Sequence, residues 1–193
     1  MRALIALPLA LLCLGAAEPT YHYHLDPAHS DVAAKVAFFG LASKTAHFPK
    51  MTGAITLQPG RLDAIDLDVD LDARALTAGD SVTLGRLRGP KFFDAERYPT
   101  VHFEGRRMTM TGQVTARVDG SITARGVTRP AVLDVAFRQP PSRATGREAV
   151  QLSARTTIDR RTFGMTAYSF IVGRNVAITI DARMVPAPPG ARD

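Results

Sequence analysis

The fold class of this chain is decided by one stretch, Arg61-Leu-Asp-Ala-Ile-Asp-Leu-Asp-Val-Asp-Leu-Asp72. Apolar residues and aspartates alternate along it. In a strand, successive side chains point to opposite faces, whereas a helix would scatter the aspartates around its girth. We therefore predict a strand with a buried apolar face, and with a solvated acidic face formed by Asp66, Asp68, Asp70 and Asp72.

The same alternation recurs on both sides of this stretch. An Asp119-Gly120 pair predicts a hairpin turn, and short helices are predicted at 80–87 and 91–97. Eight or more short strands separated by turns are typical of a sandwich or a barrel, and a barrel of about eight strands has room for one small ligand. The other predicted strands are 21–25, 31–39, 52–57, 101–105, 114–123, 131–137, 152–158 and 176–184.

Composition and the N-terminus bound the class of protein. The 193 residues are 46% hydrophobic and 22% charged, which excludes a disordered chain, and the net charge is +6. Arg2 precedes an uncharged apolar run, and Gly15-Ala16-Ala17 supplies small residues for cleavage. This pattern predicts a signal peptide over residues 1–17 and a periplasmic mature protein. Because Cys13 lies in that run, the mature chain has no disulfide or Cys-ligated zinc site.

Four motifs in order resemble the YceI-like family of bacterial periplasmic proteins. They extend from Tyr23 to Met184, which is why we predict one domain over 18–185 and a disordered Pro-rich tail over 186–193. The motifs are Tyr23-His-Leu-Asp-Pro-Ala-His-Ser30, Leu87-Arg-Gly-Pro-Lys-Phe-Phe-Asp-Ala-Glu-Arg-Tyr-Pro-Thr-Val-His-Phe103, Gly120-Ser-Ile-Thr-Ala-Arg-Gly-Val-Thr-Arg-Pro130 and Ile158-Asp-Arg-Arg-Thr-Phe-Gly-Met165.

The resemblance implies an all-β, lipocalin-like barrel of eight antiparallel strands with one or two short helices and a long apolar tunnel. Members of the family bind polyisoprenoid chains, including isoprenoid quinones, and the resemblance implies no cofactor and no catalytic residue. Phe38, Ala42 and Thr162 stand where members often carry polar residues. The resemblance therefore supports binding of an isoprenoid tail better than recognition of a particular head group.

Phenylalanines are the candidate ligand-binding residues, because a prenyl chain has no hydrogen-bonding groups and needs an apolar concave site. For any single phenylalanine, simple core filling is the alternative. Phe92 and Phe93 are expected at the barrel mouth. The candidates for the tunnel and mouth are Phe38, Phe48, Phe92, Phe93, Phe103, Phe163 and Phe170.

Basic residues flank Phe92 and Phe93. Arg86, Arg88 and Lys91 are candidates for contact with a diphosphate head group or, transiently, with an anionic membrane surface. A solvated basic rim is the alternative. Nucleic-acid binding is not expected, because export removes the chain from the cytoplasm and no aromatic-basic RNA-binding motif is present.

Metal binding and catalysis are not expected. His22 and His24 lie on one strand face without an evident partner in sequence, and the aspartates of the acidic strand are too far apart to share one ion unaided. The sequence has no nucleophile elbow. Two other functions stay open: an enzyme acting on a small amphiphile inside the barrel, and a stress-related structural or partner-binding protein with a filled core.

Overall fold

The computed structural model describes residues 19–188, so the predicted signal peptide lies outside the described residues. Within this range the chain forms eleven strands and one α-helix, α1 (Ser81–Arg88). The strands are β1 (Tyr21–Leu25), β2 (Asp31–Phe38), β3 (Ala42–His47), β4 (Met51–Leu57), β5 (Ala64–Asp72), β6 (Thr77–Ala78), β7 (Thr100–Met110), β8 (Thr115–Ala124), β9 (Val127–Phe137), β10 (Val150–Asp159) and β11 (Val172–Pro186).

Eight of the strands close into an antiparallel barrel in the order β1-β4-β5-β7-β8-β9-β10-β11, with β11 pairing back onto β1. Closure leaves these strands without a free edge. The fifteen-residue β11 pairs first with β2 and then with β1, so β1 and β2 follow one another along it. β3 and the short β6, which the sequence did not reveal as strands, extend the sheet beyond β2.

A 3-10 turn at Pro27–His29 separates β1 from β2. Asp26 caps it by accepting hydrogen bonds from the Ala28 amide and the His29 ring, and Arg183 of β11 donates to the same carboxylate at 2.8 Å. Proline at the start of the turn cannot donate a ladder hydrogen bond, which ends the strand. The turn thus changes the direction of the chain between β1 and β2, and Arg183 keeps the turn attached to β11.

The acidic strand is β5, and its aspartates lie on the outer surface as predicted. Arg106 of β7 donates hydrogen bonds to both Asp66 and Asp68, and the His102 ring lies 2.8 Å from the Asp70 carboxylate. These pairs join neighbouring strands across the surface and offset the repulsion between the aspartates. Over residues 19–188, no cluster of three or more metal-ligating side chains is arranged to hold an ion.

The predicted turn at Asp119-Gly120 is wrong, because both residues lie inside β8. A Cβ on Gly120 would stand 2.1 Å from the Glu104 carbonyl oxygen, so glycine is needed there for close approach to β7. The β8–β9 hairpin turns instead at Arg125 and Gly126, whose φ angles are 52° and 71°. A dipeptide rule for turns missed this because glycine serves close packing and turning equally well.

The second predicted helix, at 91–97, is also wrong. This segment forms successive turns, and Asp94 has a φ of 50°, outside the right-handed helical region.

At the C-terminus, β11 runs through Pro186, the first residue of the predicted tail, and Pro186 pairs with Tyr23. Residues 189–193 lie outside the described residues.

The two ends of the barrel are covered differently. At one end, which we call the capped end, lie α1, the segment 89–99 and the segment 160–171. The opposite end is covered by the 138–149 connection, where the Tyr21 ring packs on Gly146. The barrel interior is apolar between these ends, with Tyr23, Met108 and Phe163 among its most buried side chains. None of the helices over residues 19–188 has the length and apolar character to cross a membrane.

Candidate functional site

The barrel encloses a cavity of about 190 Å³ that extends along its interior. Alternate residues of the strands point into it, so the period-two pattern of the sequence becomes an almost wholly apolar wall. Members of the wall come from every barrel strand and include Leu25, Ile55, Leu67, Val69, Met108, Val118, Ile122, Leu133, Val135, Ala154, Ile158, Val176, Ile178, Ile180 and Met184.

Four of the predicted phenylalanines line this cavity: Phe48, Phe93, Phe103 and Phe163. Phe48 and Phe93 meet edge to face with ring centroids 5.8 Å apart, which couples the β3–β4 connection to the segment 89–99. Such aromatic pairs stabilise a contact by about 1 kcal/mol beyond the area that they bury. Phe137, which is not among the candidates, also lines the cavity.

The other three predicted phenylalanines do not line the cavity. Phe170 is fully exposed, and Phe38 packs against Phe39 at the tip of the β2–β3 hairpin. Phe92 is buried at the capped end, where its ring stacks on Tyr168 at 6.1 Å and lies under the Arg160 guanidinium. The expected place of Phe38 and Phe170 in the tunnel is therefore corrected, because the hairpin tip and the segment before β11 carry their rings away from the interior. Phe92 lies at the capped end but does not line the cavity.

None of the predicted head-group residues reaches the cavity either. The Arg88 guanidinium donates to the Leu76 carbonyl oxygen at 2.8 Å and so holds α1 against the connection before β6. Arg86 and Lys91 both lie over the Tyr168 ring, 5.4 Å and 5.6 Å from its centroid. All three belong to the outer surface of the capped end.

Arg160 is the one buried charged residue in the described part of the chain, and it lines the cavity. Its guanidinium donates to the carbonyl oxygens of Met165, Val172 and Gly173, the last two at 2.9 Å, and lies over the Phe92 ring. Burial lowers the pKa of Arg160 from its ordinary value, and the nearby Asp159 only partly opposes this. Even so, an arginine keeps its charge at neutral pH.

Arg160 lies in the fourth motif, but its sequence context does not mark it as a site residue. Its neighbour Arg161 is the same residue type and is exposed, so composition and charge could not separate the two. The motif spacing Arg-x-x-Phe-Gly-Met was the available signal. The structure shows why that spacing matters: the 3-10 turn Arg160–Phe163 places Arg160 and Phe163 inward together.

The segment 160–165 completes the barrel wall where two strands part. β9 and β10 pair only from Asp134 to Phe137, and beyond that Phe163 and Met165 pack with Ala131 and Ile158. Arg125 fastens the same region from the β8–β9 hairpin, because its guanidinium donates to the carbonyl oxygens of Gly164 and Pro90 at 2.5 Å and 2.7 Å. The cap is thus joined to the wall by a few identifiable bonds.

The cavity volume limits what fits without rearrangement. An engineered apolar cavity of about 150 Å³ holds one benzene, so about 190 Å³ accommodates roughly one five-carbon isoprene unit. A longer tail requires the wall to move. Met51, Met108, Met165 and Met184 line the cavity, and methionine adapts its shape more readily than branched side chains.

A closed antiparallel barrel with an apolar interior and one buried cation belongs to the class of small β-barrels that can enclose an apolar ligand. The sequence matches the YceI-like domain family over residues 23–184. The chain belongs to this family, in agreement with the four motifs.

Curated relatives support the assignment. A UPF0312 protein of Pseudomonas putida (strain GB-1) is 27% identical over 164 residues, which cover 84% of this chain and 85% of the relative. A UPF0312 protein of Vibrio cholerae (serotype O1, strain O395) is 24% identical over 165 residues, which cover 86% and 85%.

Solved structures show the same fold at low identity. Burkholderia cenocepacia BcnA superimposes with a TM-score of 0.73 at 20% identity, covering 82% of this chain and 98% of that one. A structure described as a polyisoprenoid binding domain from Saccharophagus degradans, implicated in plant cell wall breakdown, has a TM-score of 0.64 at 11% identity and covers 86% and 98%.

Proposed function

We propose that this protein binds an isoprenoid lipid, a polyprenyl chain or an isoprenoid quinone, in its barrel interior and sequesters or carries it in the periplasm without chemical change. The observation that carries the proposal is the apolar cavity enclosed by the barrel. Each methylene moved from water into such a site contributes about 0.8 kcal/mol, so a tail can bind tightly without polar contacts. Family membership and the neighbour described as binding polyisoprenoid support the same ligand class.

Arg160 gives the apolar site a polar end. Its guanidinium has five N–H donors, and three backbone carbonyl oxygens accept hydrogen bonds from it. The remaining donors suit an oxygen of a quinone ring or of a phosphorylated head group. The orientation that follows places the ligand's head toward the capped end and its tail toward Met108 and Met184.

The first test is blockade of the cavity. Ala154 of β10 is buried and lines the cavity, so Ala154→Phe should fill it and weaken quinone or polyprenol uptake from detergent micelles at least about tenfold. Ala136 of β9 is exposed one strand away, and the matched variant Ala136→Phe should bind like the unaltered protein. Circular dichroism and thermal unfolding establish that both variants fold.

Equal binding by the two phenylalanine variants would contradict the interior site. Mass spectrometry of an organic extract of the protein, purified gently from its native host, tests the proposal without any variant. A stoichiometric prenyl lipid supports it and names the ligand. An extract without lipid, together with no uptake of added quinone or polyprenol, overturns it.

That negative outcome would favour the second candidate, a partner-binding protein with a filled core. The observation on its side is the cavity volume, since about 190 Å³ is below the roughly 300–1,000 Å³ of ordinary ligand pockets. Turnover of a bound amphiphile by the purified protein would favour an enzyme instead.

The periplasmic location rests on the N-terminal pattern alone. Cell fractionation and N-terminal sequencing test it: the expected mature chain is periplasmic and begins at Glu18. A cytoplasmic protein that retains Met1 or Arg2 would overturn the location. A carrier of this kind exchanges its ligand with a membrane, and the basic residues of the capped end suit an anionic lipid surface.

A further inference from the structure

Three large apolar side chains project into solvent from two neighbouring loops at the capped end. Phe39, Leu41 and Phe170 are 63%, 98% and 104% exposed relative to a free residue. Phe39 and Leu41 form the tip of the β2–β3 hairpin, and Phe170 lies in the segment before β11. Side chains of this size seldom stand fully exposed in a group on a soluble protein without a binding role.

One hydrogen bond holds the two loops side by side. The Phe39 amide donates to the Ile171 carbonyl oxygen at 2.8 Å, and Phe38 pairs with Val172 in the ladder just below. Phe39 is therefore adjacent to the residue that follows Phe170. The hairpin tip turns through Phe39 and Gly40, whose φ angles are 54° and 72°, so its exposed residues are held on a defined turn. We call Phe39, Leu41 and Phe170 the apolar tips.

Basic side chains lie against the aromatic neighbours of the apolar tips. The Lys44 ammonium lies 5.5 Å from the Phe38 ring centroid and pairs with Asp80, which offsets its charge. Arg86 and Lys91 lie over Tyr168, two residues before Phe170, and no carboxylate within residues 19–188 forms an ion pair with either. The overall charge of +6 has the same sign.

We infer that the apolar tips and the cations beside them form a docking surface for an anionic lipid bilayer. Aromatic and aliphatic side chains on loop tips enter the headgroup region, while the flanking cations meet lipid phosphates. A protein partner would instead favour a continuous, shaped patch with a polar rim. Docking on this surface would place the capped end, with Arg160 beneath it, against the membrane. The inference that a bound lipid is exchanged there rests on the proposed function, whereas the docking itself does not.

The test compares two triple variants on vesicles of phosphatidylethanolamine with a minority of phosphatidylglycerol. Phe39→Ser/Leu41→Ser/Phe170→Ser removes the apolar tips. Because these side chains are exposed, thermal unfolding should change little. In co-sedimentation, we expect vesicle binding to fall at least about tenfold, since each tip loses apolar burial in the bilayer. Added salt should weaken binding of the unaltered protein.

The control variant places the same number of serines on the outer wall of the barrel, at Thr109, Ala136 and Thr157, which are all exposed. It should bind vesicles like the unaltered protein. If the tip variant also binds them equally, or if the unaltered protein does not bind them, the docking surface is overturned.

A separate measurement distinguishes docking from cargo binding. Uptake of a quinone or polyprenol from detergent micelles needs no bilayer, so the tip variant should bind it normally while extracting it from vesicles much more slowly. Vesicle binding without any micellar uptake would overturn the proposed function and leave docking in place. Loss of micellar uptake in the tip variant would show that the tips belong to the ligand site, which would contradict a surface role.

Discussion

Arg160 provides the sharpest test of how the capped end is held. Its guanidinium donates to the carbonyl oxygen of Met165 and to those of Val172 and Gly173 at the start of β11. Arg160→Ala removes these donors. Each carbonyl oxygen left without a partner costs about 1–3 kcal/mol, and removal of the buried charge offsets part of the sum. We expect the free energy of unfolding to fall by about 3–5 kcal/mol.

The neighbouring residue is the matched control. Arg161 pairs with Asp159 at the surface, and exposed ion pairs contribute less than about 1 kcal/mol, so Arg161→Ala should have a small effect. Urea unfolding gives both free energies, and hydrogen exchange should show lost protection around Val172 only in Arg160→Ala. If that variant does not fold, Arg160→Lys serves, with a smaller but clear loss because an ammonium cannot form the same fork. Equal losses at positions 160 and 161 would refute the reasoning.

Three further outcomes follow from particular contacts. Gly120→Ala should destabilise the protein by about 2 kcal/mol or more, because its Cβ would meet a backbone oxygen, whereas Gly85→Ala, with open space in α1, should stabilise it by about 0.5–1 kcal/mol; thermal unfolding compares them. The Arg161 side chain and amide lower the pKa of Asp159 to about 2, so the stabilisation from the Asp159 carboxylate is complete above its ordinary pKa of 3.8 and is lost as the pH falls through 2. Asp159→Asn should therefore remove part of the dependence of the unfolding free energy on pH in acid. An unchanged dependence on pH in this variant would contradict the pairing with Arg161. Arg125→Ala should speed hydrogen exchange in the segments 89–95 and 161–165 while leaving β5 unaffected, and uniform exchange would argue against its role in the cap.

The barrel wall was the predictable part of the fold. Alternation in β5, β9, β10 and β11 indicated strands and also which side chains face inward, since that depends only on the parity of position within a strand. The ends of the strands, and strands without apolar alternation, were harder to predict from the sequence. β3, Ala42–His47, carries almost no apolar alternation, and it became a strand because β2 and β6 supply its pairing partners.

The sequence predicted an apolar site inside the barrel, but it did not predict which phenylalanines line that site. Phe48, Phe93, Phe103 and Phe163 line the cavity, whereas Phe170 stands in solvent, although all five looked alike in sequence. Three of these four rings, those of Phe48, Phe93 and Phe163, lie outside the strands, where parity of position gives no information. Their orientation is set by contacts distant in sequence, such as the edge-to-face meeting of Phe48 with Phe93.

The sequence by itself determined that this chain forms a closed or layered β-structure with an apolar interior, an acidic outer strand and the motifs of the YceI-like family. These properties follow from local alternation and from residue identity. Only the tertiary structure decided that Arg160 is buried while Arg161 is exposed, and that the apolar tips stand together at the capped end. Closure of the barrel brings 39–41, 89–99 and 160–171 to one end, and no local pattern contains that proximity.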